Sequence, residues 1–314
     1  IDLGLATVAF ALPFYLRPKA LAGRPFSVVE LGLALCLAAW LLARLLDVGR
    51  SLGHRSQPLP WRLRQFDAWL QSLPARLWRG WSALDKGMLA LLIVAVLSLS
   101  WTAHTAVARR ELRVVLGESV LFYALIRLAV RSPRAHQRLI EGWLLGAVAI
   151  SCLGIGQLLL GQNLITAEGV WRVRGVYGSP NNLALYLERA LPVLLALAWR
   201  GHNRTARLVY AVAAVPVLAA LLMTLSKGAL LIGLPAALLA LGLAQRQRRA
   251  AWLALAGVGA VLLLVLPFAF TERFRSVPNF RADTAFFRLK LWRSTLHMLT
   301  HHPRTDTHRD TGFL

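Results

Sequence analysis

Runs of about twenty apolar residues, separated by short clusters of arginine, recur along most of this 314-residue chain. A hydrocarbon core roughly 30 Å thick is crossed by about 20 helical residues. Inside it every backbone amide must find its partner within the protein, so only helices and closed barrels can span. The runs show no apolar–polar alternation, which leaves helices. The chain is 57% hydrophobic yet carries a formal charge of +22. Its basic residues sit in short connections between apolar runs, which is a topology signal rather than a continuous basic face, and no nucleic-acid partner is expected. The sequence thus predicts an all-α, polytopic transmembrane helix bundle of about nine spans. They fall at roughly 1–16, 26–45, 87–101, 114–130, 139–160, 182–199, 208–224, 228–244 and 250–270.

Orientation follows from the arginines. The 46–86 connection carries Arg50, Arg55, Arg62, Arg64, Arg76, Arg79 and Lys86 and is expected on the cytoplasmic side. Alternation then places the basic connections around Arg134, Arg204 and Arg248 on that same side, and 161–180 on the outside. Within 46–86, Phe66, Trp69, Leu70, Leu73, Leu77, Trp78 and Trp81 recur at near-helical spacing beside arginines, as in an interfacial amphipathic helix. Residues 1–270 form the bundle in this reading, and 271–314 open a large external loop. In that loop Ala285, Leu289, Trp292, Leu296 and Leu299 predict an amphipathic helix over 285–299. His297 and His301 share a face, but no carboxylate stands at ligand spacing and no metal is expected. Cys36 and Cys152 lie in apolar segments and define no disulfide framework. No nucleotide-binding fingerprint is present and no cofactor is expected.

Ionisable residues within the spans are few. Glu118, Glu188 and Arg189 form a candidate intramembrane polar site, since a charge at mid-bilayer costs about 2.5–3.5 kcal/mol and is expected to face the bundle interior or a wet cavity. The external side also carries more arginine than the topology rule favours, and an anionic substrate would offset it. The stretch 172–189 concentrates that charge at the mouth of an apolar segment. Arg172 and Arg174 can hold phosphate oxygens in a fork. Gly175 and Gly178 permit close backbone approach. Ser179 suits an N-cap, Pro180 the first helical position, and Asn181 can donate nearby, so the helix start is expected to aim free N–H groups at an anion.

The same residues carry a resemblance. Arg174-x-x-x-Gly178-x-Pro180-Asn181-x-x-Ala184 resembles the motif of the O-antigen ligase and O-antigen polymerase superfamily of bacterial envelope proteins. Thr224-Leu225-Ser226-Lys227-Gly228 resembles that superfamily's Ser-Arg-Gly turn, with lysine in place of arginine. Arg288-x-x-x-Trp292 followed by His302-Pro303 resembles the start of its large external loop. The resemblance implies a multi-pass protein of the bacterial inner membrane. It implies a glycosyltransferase of lipopolysaccharide biosynthesis that takes glycan from an undecaprenyl-pyrophosphate carrier and passes it to an acceptor glycan or glycolipid. Arg172, Arg174, Asn181, Lys227 and Arg288 are then the pyrophosphate-binding candidates. The ligases' catalytic histidine lies late in the external loop; His308 does not match its setting, so no catalytic residue is assigned, and the chain reads as a fragment lacking the C-terminal part. A small-anion transporter of the bicarbonate type is the alternative, with Glu118, Glu188 and Arg189 lining a path, although the paired broken helices of many transporters are not seen. An inactive truncated remnant is a third reading.

Overall fold

A computed structural model describes residues 1–15, 19–21, 24–53, 80–102, 104–167, 169–201, 203–244, 248–270 and 284–301. Most of the expected interfacial segment of 46–86, and the chain beyond 301, lie outside these. The helices are α1 (Asp2–Ala11), α2 (Val28–Gly53), α3 (Ala83–Ser98), α4 (Thr105–Glu111), α5 (Glu118–Ala129), α6 (Pro133–Leu159), α7 (Pro180–Arg200), α8 (Arg204–Met223), α9 (Leu234–Ala244), α10 (Arg248–Val265) and α11 (Thr284–His301). Two π-helical turns, Leu112–Gly117 and Ala229–Gly233, lead into α5 and α9. The fold is all-α. Among the described residues, six helices are long and apolar enough to cross a membrane, starting at Val28, Ala83, Pro133, Pro180, Arg204 and Ala251, and two shorter apolar helices cover Asp2–Phe14 and Ala229–Ala244. The difference from the sequence reading is the span drawn at 114–130. The chain is helical there, but Arg113, Glu118 and Arg127 break its apolar run. The structure also adds two small antiparallel hairpins, β1 (Lys19–Leu21) with β2 (Arg24–Phe26) and β3 (Ile165–Ala167) with β4 (Val170–Arg172).

The chain divides into two compact units, and each is described by itself. In the first (the described residues of Ile1–Val8 and Lys19–Leu139), α2 begins with a reciprocal cap. The Ser27 amide donates to Glu30 Oε2 at 3.0 Å and the Glu30 amide donates to Ser27 Oγ at 2.9 Å. Small residues let α1 lie close to α2: a Cβ at Gly32 would stand 2.7 Å from Val8 Cγ2, and one at Gly4 would stand 2.9 Å from Cys36 Sγ. The start of α3 is capped by Ser82 and Asp85. The same aspartate accepts the Tyr123 hydroxyl at 2.6 Å and pairs with Arg127 at 3.2 Å, tying α3 to α5.

The second unit (Ala9–Pro18, Ile140–Asp306) is organised around α7. Leu183, Leu187, Leu191 and Leu194 repeat every three or four residues and are fully or almost fully buried. They pack with Ile150 of α6, Val217, Ala220 and Leu221 of α8, and Leu230 and Leu234 at the entry to α9. The Tyr186 hydroxyl donates to the Trp143 carbonyl at 3.1 Å, and the two rings meet edge to face. This packing fixes the end of α7 that starts at Pro180, and with it the residues that lead into that end.

Candidate functional site

The segment between α6 and α7 is held in place by the helices it crosses. The β3–β4 hairpin turns at Gly169, whose φ is +74°. Beyond β4 the Val173 amide donates to the Met223 carbonyl at 3.2 Å, laying the strand against the end of α8. Gly175 has φ +59°, and a Cβ there would press on Ile150 at 3.1 Å, so position, conformation and space all require glycine. Its carbonyl accepts from Gln157 Nε2 at 2.8 Å. Gly178 has neither a positive φ nor a close neighbour, and does not share this role.

Arg172 is the centre of this arrangement. It is 5% exposed. Its Nε donates to the Thr224 carbonyl at 2.7 Å, and its Nη2 donates to Asn181 Oδ1 at 2.8 Å. One guanidinium therefore joins β4, the first turn of α7 and the turn after α8. The rigid fork suits that task, because its donors point in fixed directions. The turn it grips is unusual. Leu225 is buried and has φ +46°, a region where non-glycine residues are uncommon. The following Ser226 is also buried, and its amide donates to Thr224 Oγ1. Lys227 stands one residue further on, half-buried.

Arg174 is placed differently. Its Nε donates to the Asn163 carbonyl at 3.1 Å, and its side chain is partly exposed. No other hydrogen bond of Arg174 to a described residue is formed, so its terminal nitrogens can meet an incoming anion. The structure thus brings Arg172, Asn181 and the Thr224–Lys227 turn together, with Arg174 two residues along the chain from Arg172. The free amides expected at the start of α7 are not there. Ser179 does cap the helix with Pro180 behind it, but its Oγ accepts the Asn181 amide and its carbonyl accepts those of Asn182 and Leu183. The cap takes those donors, which leaves the side chains of the loop as the cationic groups at this helix start. Tyr177, beside them, is buried, and burial pushes its hydroxyl above its usual range.

The remaining candidates separate. Glu188 lies half-buried on α7, and its carboxylate occupies the space that a Cβ at Gly233 would take. Among the described residues it makes no hydrogen bond. Arg189 points elsewhere and is exposed. Glu118 belongs to the first unit, where its Oε1 is buried without a hydrogen-bond partner and Glu30 pairs with Arg113 at 3.2 Å. Arg288 lies in α11, and its side chain is outside the described set. No group of three metal-ligating side chains occurs among the described residues. The role of Gly233 was not legible in the sequence, because it depends on a carboxylate 45 positions earlier. We expect Gly233→Ala to cost on the order of 1 kcal/mol in thermal unfolding, since the carboxylate must swing away, and to cost close to nothing in a Glu188→Ala background. Equal costs in the two backgrounds would show that the contact is not made.

An all-α bundle with several membrane-length apolar helices has the make-up of a multi-pass membrane protein, and Arg172 holds a hydrogen-bonded turn beside the start of one of those helices. Residues 212–305 match the family model described as O-antigen ligase. The matched stretch is under a third of the chain, and in that stretch the chain is similar to the O-antigen ligase family. The matched stretch contains the Thr224–Gly228 turn that Arg172 grips. No match is found among curated proteins or among solved structures.

Proposed function

We propose that the chain carries the carrier-binding part of a bacterial inner-membrane glycosyltransferase, which transfers or polymerises glycan from an undecaprenyl-pyrophosphate carrier on the extracytoplasmic face. The observation that carries this reading is the bond from Arg172 to the Thr224 carbonyl. It draws a basic loop onto a turn that lies both at a helix mouth and inside the family-matched stretch. In such a transfer the leaving group is a lipid pyrophosphate, whose negative charge grows as the glycosidic bond breaks. Positioned cations that meet that charge lower the barrier. Arg174, with Lys227 on the gripped turn, supplies the cationic groups, and Arg172 with Asn181 holds the loop that presents them. The acceptor hydroxyl surrenders its proton to a base within reach; the described residues are assigned to the carrier side of the reaction.

The test is a transfer assay. Vesicles holding the full-length protein are expected to consume undecaprenyl-pyrophosphate-linked glycan and to release the carrier pyrophosphate when acceptor is present. Consumption no greater than in protein-free vesicles would overturn the proposal.

A further inference from the structure

We propose that the crevice between α7, α9 and α10 binds an anionic phospholipid of the surrounding bilayer, with an acyl chain in the crevice and the phosphate at the arginines around its mouth. The crevice has a volume of about 260 Å³, and small residues make the room: Ala196, Gly242, Ala254 and Gly257 all line it. An adjoining space of about 350 Å³ shares Leu195, Leu238 and Gly257 with it and reaches Leu264. Along α10 the combined lining runs from Leu253 to Leu264. At 1.5 Å per residue this is roughly 16 Å, close to half of the roughly 30 Å hydrocarbon thickness, which is the depth of one leaflet.

The mouth differs from the rest. Trp199 and Arg200 line it where α7 ends, beside the last turn of α9 and the second turn of α10. Arg204 opens α8 after a short connection, and Arg248 and Arg249 open α10; all three are exposed. Trp199 and Trp252 are exposed at the same end, the level at which indoles meet headgroups. The chain has no aspartate or glutamate from 190 to 271, so these helix ends bring no carboxylate of their own. On α6, Glu141 accepts the Tyr210 hydroxyl at 2.8 Å. A basic rim over an apolar slot one leaflet deep matches a lipid with a negative headgroup. This site is separate from the Arg172 clamp, which lies at the other end of α7, and it does not depend on the glycosyltransferase reading.

The experiment reconstitutes the full-length protein in phosphatidylcholine vesicles that contain a trace of photoactivatable lipid with its reactive group in the tail. The lipid is phosphatidylglycerol in one arm and phosphatidylcholine in the other. The phosphatidylglycerol probe is expected to label peptides covering 192–200 and 253–264 several-fold more than the phosphatidylcholine probe. Removing either arginine, by Arg200→Gln or Arg204→Gln, should take away most of that preference, since one arginine near the surface is worth roughly fivefold. A Cβ at Gly257 would stand 3.6 Å from Leu238, an ordinary contact, so Gly257→Leu should fold and fill the slot. It is expected to abolish the labelling; Ala196→Leu serves the same purpose from the facing helix. Equal labelling by both probes would reduce the crevice to an ordinary lipid contact. No labelling at 253–264 would mean that another segment of the protein covers it. Either result overturns the proposal, and so does labelling that persists in the filled variants.

Discussion

Arg172→Ala is expected to lower the stability of the full-length protein by about 3 kcal/mol or more, read as a fall of several degrees in thermal unfolding in detergent. Hydrogen bonds from a charged donor contribute about 1.5–3 kcal/mol each, and Arg172 makes one to Thr224 and one to Asn181. Removing the guanidinium would also leave a buried carbonyl without that donor. Arg172→Lys should recover little, because a single ammonium lacks the fixed fork that reaches both acceptors. Asn181→Ala removes one bond of the set and should cost less. Unchanged unfolding in Arg172→Ala would show that the side chain is not an anchor and would return it to the pool of ligand groups.

Arg174→Ala is expected to do the opposite: to change unfolding little, since its bond to the Asn163 carbonyl is solvent-exposed, and to reduce transfer from carrier-linked glycan about tenfold or more. A charge-assisted contact to phosphate is worth about 1.5–3 kcal/mol, and 1.4 kcal/mol corresponds to tenfold. Arg174→Lys should restore part of the rate, since the charge remains and the fork does not. The measurement is the initial rate at matched amounts of protein in vesicles. A parental rate in Arg174→Ala would remove this residue from the site. Together the two substitutions separate anchoring from ligand contact in side chains only two positions apart.

That division was not legible in the sequence, where Arg172 and Arg174 look equivalent. What separates them is tertiary. Val173 bonds to Met223, fifty residues away, and this turns the Arg172 side chain into the protein and onto Thr224. The apolar runs, by contrast, reported the class of fold directly, because bilayer thickness imposes a length on each span. The Ser179-Pro180 helix start was legible for the same local reason. Its consequence was not: the strong cap that marks the helix also consumes the amides that an anion would have used. The 114–130 segment is helical as expected, and Glu118 and Arg127 within it set it apart from the longer apolar helices. The two hairpins are three-residue strands, too short for alternation to declare them.

The π turn at Ala229–Gly233 has a consequence for how this helix pair tolerates change. A π turn accommodates one residue more than an α-helix would, and each residue turns a helix by about 100°. Leu234 and Leu238 face α7 because that extra residue sits ahead of them. The segment is therefore a reserve of length. Loss of one residue between 229 and 233 can be absorbed by the turn tightening to ordinary α geometry, with α9 keeping its facing, whereas the same loss within α9 would rotate its remaining leucines away from their neighbours.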